Sequence, residues 1–241
     1  MEIINNKDDS THGCRYTQVK VDYLPDKIKI CLVNIDSLQV IANKISTLIL
    51  DHSWIISLDP TARLAYEGTV EKTSNILNDI CNRIIKNPEI ESDFGEIMVS
   101  ITASESLKHL FNHISLPISE LWKEKARGNP GFDFHTVCQE DLIHFGEAKY
   151  SSLKNPYEAA INQANDFINK DKHHYDIIHL ENIIQKKEPI ENLVNNYYSI
   201  VAAFSINSDN HQLIIKNAIN KISNLDIYTK ATNIYLIGVI C

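Results

Sequence analysis

The sequence predicts an α/β protein in which helices flank a mixed central sheet, and three observations carry that expectation. Between residues 94 and 239 the residue patterns run helix, strand hairpin, helix, strand, helix, strand, a succession that packs as helices around a sheet. Glycine numbers only 7 in 241 residues, too few for an all-β chain turned by glycine. Hydrophobic residues make up 44% and charged residues 22%, an ordinary globular balance in a chain long enough to bury a sizeable core. Residues 1–60 read as an N-terminal β/α elaboration packed on the core, and residues 61–241 as the main domain. By elimination, the N-terminal part is the expected place for a partner to dock.

The elements follow in order. Residues 1–14 are polar and read as a mobile tail. Gln18 to Tyr23 and Lys27 to Ile35 alternate polar and apolar residues, which predicts two strands around the Leu24-Pro25-Asp26 turn. Asp36 or Ser37 caps a helix reaching about Leu50, and Asp59-Pro60 starts another helical stretch; the one after it is broken at Asn87-Pro88. From Phe94 to Asn112, Phe94, Ile97, Met98, Ile101, Leu107, Leu110 and Phe111 recur at helical spacings, with Glu96 near the helix start. Leu116 to Arg127 reads as more helical than extended, and Gly128 to Gly131 forces an irregular turn. Strands follow at Phe132–Val137 and Leu142–Tyr150. A helix capped by Asn155, with Pro156 at its first position, runs to Asn169. A strand at Tyr198–Ile206, a helix at Asn210–Ser223 and a strand at Asn233–Val239 complete the pattern.

Composition excludes several classes. No apolar run approaches the roughly 18 residues that span a bilayer, so no membrane association is expected. The polar, acidic N-terminus is not a signal peptide, which makes a cytoplasmic location the default expectation. Five scattered cysteines without CxxC spacing argue against a disulfide framework and a cysteine-based zinc site. No phosphate-cradling glycine loop, nucleophile elbow or dinucleotide fingerprint appears, so any ATP-driven step belongs to a partner. The net charge of −8 is unusual for a chain that grips nucleic acid by itself. Either bound divalent metal offsets acidic ligands locally, or a basic partner presents the nucleic acid.

The chemistry concentrates on the predicted hairpin. Side chains two apart on a strand share a face, so Glu147 and Lys149 point the same way. If Asp133 pairs with Glu147, then His135 meets Phe145 and Val137 meets Ile143; a slip of one residue would send Asp133 to the other face. In the favourable register two carboxylates sit about 5 Å apart, a costly arrangement unless a cation joins them. Asp133, Glu147 and the backbone carbonyl of Ala148 would then hold Mg²⁺ or Mn²⁺. Lys149 would orient or help deprotonate an attacking water, and Glu96 would add a ligand if its helix packs at this edge of the sheet. The triplet itself is weak evidence: with 31 acidic residues, about two acidic-x-Lys triplets arise by chance. A solvated Glu/Lys pair on a sheet surface is the competing structural reading.

Gly131-Phe132-Asp133-Phe134-His135 and Phe145-Gly146-Glu147-Ala148-Lys149-Tyr150 resemble the motifs of the PD-(D/E)XK nuclease superfamily, whose fold is restriction-endonuclease-like. The wider stretch is similar to the nuclease subunit family of Hachiman antiphage defence systems. It runs from Phe94-Gly95-Glu96 through Leu121-Trp122-Lys123 to Ala159-Ala160-Ile161-Asn162-Gln163-Ala164. The resemblance covers roughly residues 60–240 and is specific only around the Asp and Glu-x-Lys motifs. It implies an Mg-dependent deoxyribonuclease in complex with a helicase subunit, with Glu96, Asp133, Glu147 and Lys149 as its catalytic set. One departure stands: this fold has a strand between the acidic helix and the Asp-bearing strand, and residues 113–130 do not show it. The alternative is an inactive nuclease-fold module for nucleic-acid binding or assembly. An endonuclease working alone fits the acidic charge less well.

Further residues qualify as weaker nucleic-acid contacts. His135 shares the strand face of Asp133, either touching phosphate or hydrogen-bonded at the rim. Lys123, Lys125 and Arg127 form a basic group before the hairpin, and Lys154 follows it. Gln163 lies where some exonuclease-like members carry a functional glutamine, although a surface glutamine is the commoner explanation. His109 and His113 have helical metal-pair spacing but no evident third ligand, and read as solvent-facing. His173-His174 reads as loop.

Overall fold

The computed structural model describes residues 1–22, 24–123 and 131–241. Its strands are β1 (Glu2–Asp9), β2 (Cys14–Lys20), β3 (Ile28–Ile35), β4 (Ile114–Ser115), β5 (Phe134–Val137), β6 (Ile143–Lys149), β7 (Tyr198–Ile206) and β8 (Ile234–Ile240). They form one mixed sheet of eight strands in the order β1-β2-β3-β8-β7-β6-β5-β4. The four central strands, β3, β8, β7 and β6, are parallel, and antiparallel strands extend both ends. The parallel strands are covered on both faces, which is why β7 reads YSIVAAFSI, apolar nearly throughout and buried at every residue.

Helices α1 (Leu38–Leu50), α2 (Ser53–Ile56), α3 (Pro60–Lys86) and α4 (Ser92–Phe111) follow β3. Ser37 caps α1 by accepting the Val40 N–H, and Asp59 caps α3 by accepting from Thr61 and Ala62 ahead of Pro60. Helix α4 crosses the sheet and meets every strand, while α1 and α3 lie against it. A helix covered on all sides needs no polar stripe. Its buried hydroxyls turn inward instead: Thr102 donates to the Met98 carbonyl at 2.7 Å and Ser106 to that of Ala103 at 2.7 Å. Gly95 allows the close approach, since a Cβ there would overlap the Tyr150 ring.

After β4 come α5 (Ser119–Trp122), then α6 (Tyr157–Asn169), α7 (Lys172–Tyr175), α8 (Ile177–Ile184), α9 (Lys187–Val194), α10 (His211–Ile222) and α11 (Asp226–Lys230). Helix α6 packs on β6 and β7, where Phe167 meets Phe132, which in turn meets Phe145, and Tyr157 meets Phe204. No helix among the described residues is long and apolar enough to cross a membrane.

Several expectations need correction. Residues 2–9 are not a tail but an edge strand, paired along its length with β2. The strand not visible between residues 113 and 130 exists as the two-residue β4, which pairs with β5. Helical structure between Leu116 and Trp122 shrinks to one turn, and the Gly128–Pro130 part of the expected turn lies outside the described residues. Asn155 does not cap α6; its side chain accepts the Asn207 N–H at 2.7 Å. His173 and His174 lie on the short helix α7, with His173 buried. His113 is buried rather than solvent-facing, its ring 3.0 Å from the Thr136 hydroxyl, and His109 is partly covered beside Asp9.

Candidate metal centre

The register of β5 and β6 decides the site. Phe134 pairs with Gly146, His135 with Phe145 and Val137 with Ile143, the register that places Asp133 across from Glu147. Asp133 precedes the first residue of β5, so the Ala148 N–H lies beyond the ladder. The Asp133 carboxylate takes that donor at 2.9 Å, while its own N–H bonds the Gly146 carbonyl at 2.9 Å. Gly146 is required next door, because a Cβ would overlap the Phe134 ring.

Glu147 is completely buried. Its Oε1 accepts from Lys149 Nζ at 2.6 Å, and its Oε2 has no hydrogen-bond partner among the described residues. Burial first, then the negative charge of Asp133, pushes the Glu147 carboxyl well above the usual carboxylate value; Glu96 adds in the same sense and Lys149 opposes. Burial disfavours the Lys149 ammonium, but Glu147 and then Asp133 outweigh it and hold that group above the usual lysine value. Lys149 Nζ also donates to the Ala148 carbonyl at 3.0 Å. The single cation thus contacts two of the oxygens expected to ligate metal.

Glu96 is exposed in the second turn of α4. Its charge is felt at both Glu147 and Lys149. It lines a cleft of about 600 Å³ together with Lys72, Asp93, Glu120 and Lys123. A second cleft of about 710 Å³, bordered by Tyr66, Trp122, Asp176 and His179, meets the first at Lys123. Among the described residues, neither cleft is lined by Asp133, Glu147 or Lys149.

The weaker candidates divide. Lys123 Nζ lies 2.6 Å from Asp176 Oδ2 and is mostly covered, and burial depresses its pKa against the pull of Asp176. His135 is wholly buried, not at the rim: its Nε2 is 3.1 Å from the same Asp176 oxygen and its Nδ1 3.3 Å from the Ser119 hydroxyl. Both side chains are committed to a buried network rather than offered to phosphate. Burial pushes Asp176 up, but the hydrogen bond and charge of His135, with Lys123, outweigh it and hold the carboxyl below its usual value. Sequence reasoning missed Asp176, because 41 positions separate it from His135 and no motif marks it. Lys154 is exposed in the loop after β6, and Gln163 is half-buried on α6. Lys125 and Arg127 lie outside the described residues.

No protein-family profile matches the chain, and no curated protein matches it either.

Proposed function

We propose that the chain is a metal-dependent DNA nuclease of the PD-(D/E)XK type. The observation that carries the reading is the fully buried Glu147 Oε2, without a partner among the described residues, beside Asp133 and with Lys149 alongside. A carboxylate oxygen deprived of both water and donors is costly, and a cation relieves that cost. The donor set is all oxygen, which fits Mg²⁺ or Mn²⁺. Asp133, Glu147 and the Ala148 carbonyl would hold the ion, with Glu96 as an outer ligand. When bound, it would supply Lewis-acid stabilisation of charge on the scissile phosphate.

The protein groups do the rest. Asp133 keeps its carboxylate at the site through the Ala148 N–H. Lys149, charged and linked to Glu147 Oε1, orients water and stabilises negative charge that develops at phosphate oxygen. Gly146 makes room for the Phe134 ring on the opposite face of the two strands.

The net charge of −8 favours a protein that receives DNA from a partner over one that grips it alone. In this reading the chain is the nuclease of an antiphage defence system and acts with a helicase subunit. The test is cleavage of plasmid and linear DNA in Mg²⁺, with and without the helicase, by wild type and by Glu147→Ala/Lys149→Ala. Cleavage by the wild type with the helicase, lost in the double variant, is expected. Equal cleavage by both proteins would remove the site assignment, and full activity without the helicase would remove the partner.

A further inference from the structure

The turn that closes the β1–β2 hairpin lands on α4, and four metal-binding side chains meet there. Asp9 ends β1 and His12 lies in the turn, while Glu105 and His109 come from successive turns of the helix. Glu105 is nine residues beyond Glu96, about 14 Å along the helix axis, so this cluster is separate from the Glu147 centre.

The turn is built to hold its two residues. Asp9 Oδ1 accepts the Thr11 N–H at 3.0 Å and the His12 N–H at 3.2 Å, which leaves Oδ2 free to face inward. Gly13 then returns the chain at φ 62°, a conformation that favours glycine. Asp9 Oδ2 lies 2.5 Å from His12 Nδ1 and 3.0 Å from His109 Nε2. Glu105 Oε2 lies 3.3 Å from His12 Nε2 and 3.8 Å from His109 Nε2. His12 and Glu105 are nearly inaccessible, with side-chain exposures of 6% and 5%. Yet His12 Nε2 and His109 Nε2 make no hydrogen bond among the described residues.

Two buried ring nitrogens facing carboxylate oxygens, close but without hydrogen-bond geometry, are costly as they stand. Around a tetrahedral ion with bonds of about 2.0–2.1 Å, neighbouring ligand atoms sit roughly 3.4 Å apart, close to the spacings here. We propose that Asp9, His12 and His109, supported by Glu105, form a Zn²⁺ site that pins the β1–β2 turn to α4. Two imidazoles with carboxylates suit Zn²⁺ better than Mg²⁺, and two negative charges match a divalent ion. One ligand atom each from Asp9, His12 and His109 lies within 4.8 Å of the others, and Glu105 Oε2, 3.3 Å from His12 Nε2, stands where a carboxylate supports a zinc-bound histidine through its second nitrogen. The hairpin thereby becomes a clamp on the helix that carries Glu96.

The test uses the full chain carrying Asp133→Asn and Glu147→Gln, which removes the other candidate centre. After exposure to Zn²⁺ and dialysis, metal analysis should find one equivalent of zinc per chain. Co²⁺ in its place should give the intense visible absorption of a tetrahedral site. His12→Asn and His109→Gln, each added to that background and checked by circular dichroism, should lose both signals. A chelator should lower the melting temperature of the parent but not of these variants. If the parent retains no zinc and gives only the weak octahedral cobalt spectrum, the site does not exist, whether or not the variants fold. Retention of one equivalent by both histidine variants would equally overturn it.

Discussion

Replacing Glu147 with Gln separates the metal account from a simple structural role, because the two states of the site respond in opposite directions. Without metal, the wild-type protein buries a carboxylate whose Oε2 has no partner among the described residues. Gln removes the charge from that unpartnered position, and the charge on a buried group left unsatisfied costs about 1–3 kcal/mol or more. Gln keeps the shape and leaves an oxygen for Lys149. The lost charge pairing with Lys149 opposes this gain, but burial and the Asp133 charge together outweigh Lys149 at this carboxyl, so the charged form is disfavoured on balance, and Lys149 keeps its bond to the Ala148 carbonyl. The variant should therefore be the more stable protein in metal-free buffer, by roughly 2–4 °C in melting temperature for each kcal/mol. The pH dependence has a definite sign. A folded-state pKa above the ordinary glutamate value of 4.5 means that the folded protein holds its proton longer than the unfolded chain. Wild-type stability thus falls as pH rises from 4.5 towards the folded value, and the advantage of the variant grows over that window and then levels. Mg²⁺ or Mn²⁺ should reverse the order: at about one hundred times its dissociation constant an ion adds about 2.7 kcal/mol to the wild type. Differential scanning calorimetry at several pH values, with and without the ion, reads both effects. A variant less stable than wild type in metal-free buffer, or stabilised by the ion to the same extent, would refute the reasoning.

Three further perturbations probe the surroundings. Gly146→Ala drives a methyl group into the Phe134 ring and should cost about 1–3 kcal/mol, measured by urea denaturation; an unchanged midpoint would mean that the ring moves freely. Asp176→Asn removes the shared partner of Lys123 and His135 and should cost about 3–5 kcal/mol at neutral pH. Because the Asp176 pKa is depressed in the folded state, that difference should be full above the ordinary aspartate value of 3.8 and vanish as pH falls through the folded value; a pH-independent difference would contradict the pairing. Lys149→Ala should lower the single-turnover cleavage rate by about 10²-fold or more while the protein still binds Mn²⁺, and loss of Mn²⁺ binding instead would assign Lys149 to holding the site together.

The hairpin was legible because one register satisfies its whole pattern: Phe145 and Ile143 must face His135 and Val137, and Asp133 is then carried opposite Glu147. The parallel core was legible for a similar reason, since β7 and β8 are continuous apolar runs. Strand β1 was not. Its sequence, EIINNKDD, is largely exposed and has no buried face, so its structure comes from pairing with β2 rather than from a pattern of its own. Strand β4 is only two residues long, below what alternation can reveal. The roles of Lys123, His135 and His109 were hidden for a third reason. Their partners Asp176 and Asp9 are distant in the chain, and only the folded sheet brings them together.

The most direct test of the central claim is single-turnover DNA cleavage by the purified chain, with and without the proposed helicase partner, titrated with Mg²⁺, for wild type, Asp133→Asn and Glu147→Gln. Saturable Mg²⁺-dependent cleavage by the wild type, reduced about 10²-fold or more in both variants while circular dichroism stays unchanged, is the predicted result. Cleavage that persists in either folded variant at wild-type rate, or that needs no divalent ion, would contradict the assignment of Asp133 and Glu147 as the metal-binding pair.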